Sequence, residues 1–363
     1  MHITIAERLR PFSHLPGTYC LLPRSFLRCR IFPTKLVIDD VSEIYPKALI
    51  TIDLSLHGPV KDFTIQQDLE KGFIRVWGHF QEGFVRYCLM ALEEPHSFIF
   101  KMERAPLAGV NSPTFNKVIY PKEEIQVKAP TSPLAFKFKN ERLSLGSHKA
   151  QDIELIRRRL DLVEIFPLWL RLGQQLPSLE KSSCEGTLKL LEICENIIYE
   201  KKALEVFQAF LNLFHVGFEG LLSPCLYDEN YQGFSVDLSS DNFKGVPLYL
   251  LTEGSKLISK LFIDIKEHSV AMLPVLPPQF HCGRMLGVAC GVFGEIDFEW
   301  SKKLIRRVVF NSKIDGPIHF AFQKGLKTFR LRANLKDKGV IVSCGEKVYC
   351  QVGMTYFFDN FKK

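Results

Sequence analysis

Three groups of residues in this chain have types and spacings that could do chemistry. Glu229, Asp237 and Asp241 lie in a Gly-, Ser- and Asp-containing loop over residues 223–245. Carboxylates in such a loop either bond to their own backbone as turn residues or stand ready to move a proton. Trp77, Trp169 and Trp300 carry flat faces that could stack on a sugar ring. Each also sits in an apolar, regularly spaced segment, where core packing accounts for it first. His281 and Cys282, with Cys290 nearby, have metal-ligating atoms but lack a fourth ligand and a paired motif. Buried thiols and a hydrogen-bonded histidine are expected there, with neither metal nor cofactor. Arg157, Arg158 and Arg159 read as a wet helix face beside Asp152, Glu154 and Asp161.

The elements that must position these groups change period twice along the chain. From residue 36 to about 138 the pattern alternates, with strands expected over 48–54, 73–80, 84–90 and 97–102 between Gly, Pro, Asp and Asn turn signals. Short strands so punctuated predict a β-sandwich over residues 1–140. Before them, Pro11, Pro16, Gly17 and Pro23 predict loops. At Ser147 the period becomes helical. Ser147 or Asp152 caps a helix with Ile153, Ile156, Leu160 and Val163 on one face, and Pro167 stops it or opens a second. Two further stripes follow, one of Leu188, Leu191, Cys194 and Ile198, the other of Leu204, Phe207, Phe210, Leu211 and Phe214. A last helix is expected over 247–265. The helical domain is thus expected over 147–268. A proline-held connector and a Gly-rich turn from Met272 to Gly294 then lead into a β domain over 272–363.

Composition bounds the function classes. The 363 residues are 46% hydrophobic, enough for a substantial core and two or three domains. The formal charge of +7 comes from scattered basic residues without a nucleic-acid module, so no nucleic-acid partner is expected. No segment offers the apolar run of a spanning helix, and residues 1–10 do not read as a signal peptide, so no membrane partner is expected. Ten cysteines without a C-x-x-C pair suit a reduced, cytoplasmic protein, although Cys344 and Cys350 could face each other across a hairpin. Nothing in the residues fixes an oligomeric state.

Residues 272–310 resemble the end of the α-L-fucosidases and related enzymes of glycoside hydrolase family 95. Met272-Leu273-Pro274-Val275-Leu276-Pro277 is similar to the segment by which that family leaves its helical barrel. Gly294-Glu295-Ile296-Asp297-Phe298-Glu299-Trp300 is similar to the strand that opens its C-terminal β domain. Upstream, Leu226-Tyr227-Asp228, Gly233-Phe234-Ser235-Val236-Asp237 and Asn242-Phe243 are similar to further elements of the family. The resemblance covers roughly the last third of the chain.

The resemblance implies a β, α, β order and hydrolysis of a glycoside with inversion, in which a carboxylate activates water while a carboxylic acid protonates the leaving oxygen. By motif Asp237 matches the water-activating position, Asp241 rivals it because Leu238-Ser239-Ser240-Asp241 breaks the register, and Glu229 is a second carboxylate. Trp169 and Tyr227 would be the carbohydrate-binding rings. The chain departs from the family in lacking its Asn-x-Asn segment, the segment carrying its general-acid Glu, and the length of a complete barrel. The expectation is an α+β protein: an N-terminal β-sandwich, a reduced helical middle that is the remnant of an α/α barrel, and a C-terminal β domain. It would bind or hydrolyse a carbohydrate between the helices and the N-terminal sandwich; the alternative is a non-catalytic scaffold or interaction protein that kept the fold.

Overall fold

The computed structural model of the chain describes residues 2–43, 45–94, 96–128, 138–176, 179, 186–226, 246–267 and 269–363. Within them the chain is α+β and rich in strands, with five helices set between two groups of sheets.

The first group holds a six-stranded and a four-stranded antiparallel sheet. The larger runs in the order Phe12–Ser13, Lys61–Asp68, Phe73–Phe80, Gly83–Ala91, Phe98–Arg104 and Glu124–Val127; the smaller is a meander of Thr18–Leu21, Leu27–Ile31, Lys35–Asp40 and Lys47–Asp53. Alternation decides which side faces in. Leu27, Cys29 and Ile31 are buried on one strand, Leu36 and Ile38 on the next, and Phe98, Phe100 and Met102 across the larger sheet. The Gln67 side-chain amide joins the sheets by donating to Leu21 O at 2.6 Å. Strands flank the loops predicted from Pro11, Pro16, Gly17 and Pro23, because each of these residues falls at a strand end or between strands and none removes a ladder hydrogen bond.

The helices are α1 (Ile153–Arg159), α2 (Leu162–Gly173), α3 (Thr187–Tyr199), α4 (Val206–Gly217) and α5 (Leu248–Phe262). Of the two candidate caps, Asp152 is the one used, accepting from Leu155 N. The expected break does not fall at Pro167. It falls at Leu160, which is left-handed at φ 50°, and Asp161 caps the next helix by accepting from Val163 N. Pro167 lies inside α2, where it removes one intrahelical donor without ending the helix. The stripe of α3 is buried as expected. That of α4 is shifted to Val206, Ala209, Phe210, Leu213 and Phe214, while Leu204 is exposed before the helix starts.

The second group is a sandwich of a seven-stranded and a four-stranded sheet. The larger runs Arg142–Ser144, Cys282–Ala289, Gly294–Ser301, Leu304–Ser312, Thr355–Lys362, Thr328–Arg332 and Val340–Ser343; the smaller runs Ile263–Lys266, Ser269–Met272, Gly316–Ala321 and Lys347–Cys350. Phe320 of the smaller sheet packs edge-on against Phe310 (5.2 Å) and Phe358 (4.9 Å) of the larger. Two segments that precede the expected C-terminal domain, Arg142–Ser144 and Ile263–Lys266, pair into these sheets. The helices rest on the same core, through Phe262 beside Trp300 at 5.3 Å and Phe166 beside Phe280 at 5.5 Å.

The Gly-rich stretch expected as a turn is mostly the strand Cys282–Ala289. Gly287, at φ +66°, forms a bulge between Met285 and Val288, and its amide donates to Asp297 Oδ1 at 2.7 Å. Gly283 leaves room for the Trp300 ring, which a Cβ would meet at 2.5 Å.

Candidate functional site

A cleft of about 240 Å³ opens where α3 and α5 meet the entry to the second sandwich. Its floor is apolar. Ile198 from α3, Leu257 from α5, and Val275 are buried there beside Pro274. Two hydrogen bonds tie this connector to the end of α5, Leu273 N to Phe262 O at 2.7 Å and Val275 N to Leu261 O at 3.4 Å. Leu273 is left-handed at φ 53°, which turns the chain out of the strand Ser269–Met272 and into the cleft wall.

The rim is polar and carries both signs of charge. Glu195 and Tyr199 stand on the outer side of α3, Lys201 follows in the turn, Lys260 projects from the last turn of α5, and Asp264 and Lys266 come from the strand Ile263–Lys266. Lys266 Nζ reaches Asp264 Oδ2 at 3.6 Å. Tyr199 is 86% exposed, so most of its ring is uncovered beside an apolar floor. Position explains this exposure. The buried stripe of α3 includes Cys194 and Ile198, and Tyr199 is one residue past it, on the helix's open side. An aromatic off the stripe of an amphipathic helix was the signal available in the sequence, and it was missed, as were Glu195, Lys260 and Asp264.

Of the residues expected to act, Glu229, Asp237, Asp241 and Tyr227 lie outside the described residues. Trp169 is described and requires correction as a sugar-binding ring. It is 0% exposed, Phe218 packs edge-on to it at 4.7 Å with Phe210 and Phe214 close by, and its Nε1 donates to Leu251 O at 3.3 Å. Gly254 of α5 lies against the indole, and no part of the ring reaches the surface. Trp300 is likewise core, with Nε1 donating to Phe280 O at 3.1 Å.

Cys290 is buried while Cys282 is exposed, and no group of three or more His, Cys, Asp or Glu side chains among the described residues could hold a metal ion. Arg159 does not simply face water: with Lys149 it engages the buried carboxylate of Glu164. Cys344 and Cys350 are both free thiols. No described helix is long and apolar enough to cross a membrane.

Compared with models of known protein families and with curated proteins, the chain matches none.

Proposed function

We propose that the protein binds a glycoside in the cleft between α3, α5 and Pro274, as a catalytically reduced relative of the family 95 glycosidases whose five described helices are what remains of an α/α barrel. The observation that carries this reading is the open ring of Tyr199 beside an apolar floor and a rim of both charge signs. A sugar ring presents an apolar C–H face and hydroxyls that each donate and accept. An aromatic face matches the first, and carboxylates with ammonium groups match the second. The connector that forms one wall belongs to the stretch whose residues resemble the family. This cleft lies apart from the one expected between the helices and the N-terminal sandwich, whose carboxylates Glu229, Asp237 and Asp241 are outside the described residues.

A glycan array probed with wild type and with Tyr199→Ala tests the reading. Retention of a defined set of oligosaccharides by wild type, lost in the variant, is the expected outcome; no retention by wild type would refute it. Hydrolysis is a separate question that rests on Asp237, Asp241 and Glu229. A screen of aryl glycosides with wild type and Asp237→Asn should show no turnover by either, and turnover by wild type that the substitution abolishes would restore full catalysis to the family resemblance.

One observation favours the second reading, an interaction protein. The strand Val340–Ser343 is the edge of the seven-stranded sheet, and Val340 and Ile341, which point to opposite faces, are both exposed. Such an apolar edge is a template for pairing with another chain.

A further inference from the structure

Three arginines meet where the first six-stranded sheet joins the helices. Arg171 of α2 is 6% exposed; its Nε donates to Leu69 O and its Nη1 to Lys139 O, each at 3.2 Å, and no carboxylate among the described residues pairs with it. Arg142 reaches the same turn, with Nη2 donating to Glu70 Oε1 at 3.1 Å and to Glu7 O at 2.8 Å. Arg24 closes the group. Its Cζ lies where a Cβ on Gly72 would come within 3.0 Å, and 5.1 Å above the ring of Phe138. All three side chains therefore attach to two short segments, residues 69–72 and 138–142.

Two acidic side chains nearby are engaged elsewhere. Asp68 is taken by Arg10 at 2.8 Å and by the amides of Glu70 and Lys71. Glu141 is turned to Gln174 at 2.8 Å and to Ser259 at 3.4 Å. Among the described residues Glu70 is the one carboxylate that forms an ion pair with a member of the trio, and the half-buried Glu7 carboxyl lies within electrostatic reach of Arg142. The donors are also unspent. Arg24 makes no side-chain hydrogen bond among the described residues, and the Nε atoms of Arg24 and Arg142 are buried there without a partner. Arg24 is moreover held at φ +66°, a conformation that a non-glycine residue adopts at some cost and that places its guanidinium over residues 72 and 138. Burial lowers the pKa of Arg171, Glu70 opposes the shift, and Arg142 and Arg24 add to it, as neighbours within electrostatic reach would.

We propose that Arg24, Arg142 and Arg171 form a binding site for a tetrahedral oxyanion, the phosphate or sulfate group of a small ligand, seated between residues 69–72 and 138–142. Guanidinium forks match the oxygens of such a group with paired hydrogen bonds. The site is separate from the cleft at Tyr199 and does not depend on glycan binding there.

The test is a titration of inorganic phosphate into the protein, followed by ³¹P line broadening at constant ionic strength, with sulfate and acetate as competitors. Saturable broadening in wild type, displaced by sulfate and not by acetate, is expected. Arg24→Gln, which removes a guanidinium that makes no hydrogen bond to the described residues, should keep the wild-type melting temperature and weaken phosphate binding about tenfold or more, the loss of one charge-assisted hydrogen bond. Arg142→Gln provides a second variant with the same expected direction. Broadening that does not saturate, equal competition by acetate, or unchanged affinity in both folded variants would overturn the assignment.

Discussion

The indole of Trp169 in α2 occupies the space that a side chain at Gly254 in α5 would need, and a Cβ there would stand 2.6 Å from Trp169 Cε2. The approach is reciprocal, since a Cβ on Gly173 of α2 would stand 2.6 Å from Ser255 Cβ of α5. Two glycines thus let the helices close over the tryptophan and seal it into the core. Gly254→Ala should destabilise the protein by about 1–3 kcal/mol through overpacking, more than the ~1 kcal/mol that alanine returns in helix propensity. Urea unfolding measures it, with Gly325→Ala as the control because nothing lies within 4 Å of a Cβ there. Equal midpoints for Gly254→Ala and wild type would contradict the packing described.

Burial raises the carboxyl of Glu141 above its ordinary range, against the charge of Lys139 and the hydrogen bonds from Ser259 and Gln174. A carboxyl that holds its proton more tightly folded than unfolded contributes stability that is complete below its ordinary value and is lost as pH rises through the elevated one. Glu141→Gln keeps an acceptor for Gln174 and cannot ionise. Its melting temperature relative to wild type should therefore climb as pH rises above about 4, the ordinary carboxyl range, and through the elevated value. Glu7 and Asp297 are also raised by burial, but both remain in the variant and cancel in the difference. A difference that stays flat with pH would show that Glu141 does not carry this term.

The thiols should react very unequally. Burial pushes Cys20, Cys194, Cys290 and Cys350 up to about 12, whereas Cys282 is exposed. Since the thiolate is the reacting species, iodoacetamide at neutral pH should modify Cys282 well before any of these four. Peptide mass spectrometry of a time course reads this directly, and labelling of Cys290 at the rate of Cys282 in folded protein would contradict it.

Much of the fold was legible because burial imposes periods. The alternation over 73–80 and 84–90 became Phe73–Phe80 and Gly83–Ala91, and the stripe of Leu188, Leu191, Cys194 and Ile198 became the buried side of α3. What was not legible depended on neighbours distant in sequence. The strand Cys282–Ala289 has glycines at 283 and 287 that read as turns, but one admits the Trp300 ring and the other makes a bulge bonded to Asp297. Arg142–Ser144 is too short to announce itself and is a strand only because residues 284–286 lie beside it. The rim of the cleft was equally hidden. Glu195, Lys260 and Asp264 come from three elements that only folding brings together, and Tyr199 lies just beyond the apolar stripe of α3, where periodicity alone gives it no role. Trp169, which looked like a binding ring by type, became core because Gly173 and Gly254 allow two helices to meet over it.

The central claim is that the open face of Tyr199 holds a sugar ring, and calorimetric titration of the oligosaccharide best retained on the array tests it most directly. Wild type and Tyr199→Ala should melt alike, because the ring is 86% exposed and supports little of the core. The variant should bind roughly tenfold or more weakly, the loss expected when an aromatic platform is removed. Undiminished affinity in a variant folded as wild type would place the sugar elsewhere and contradict the account.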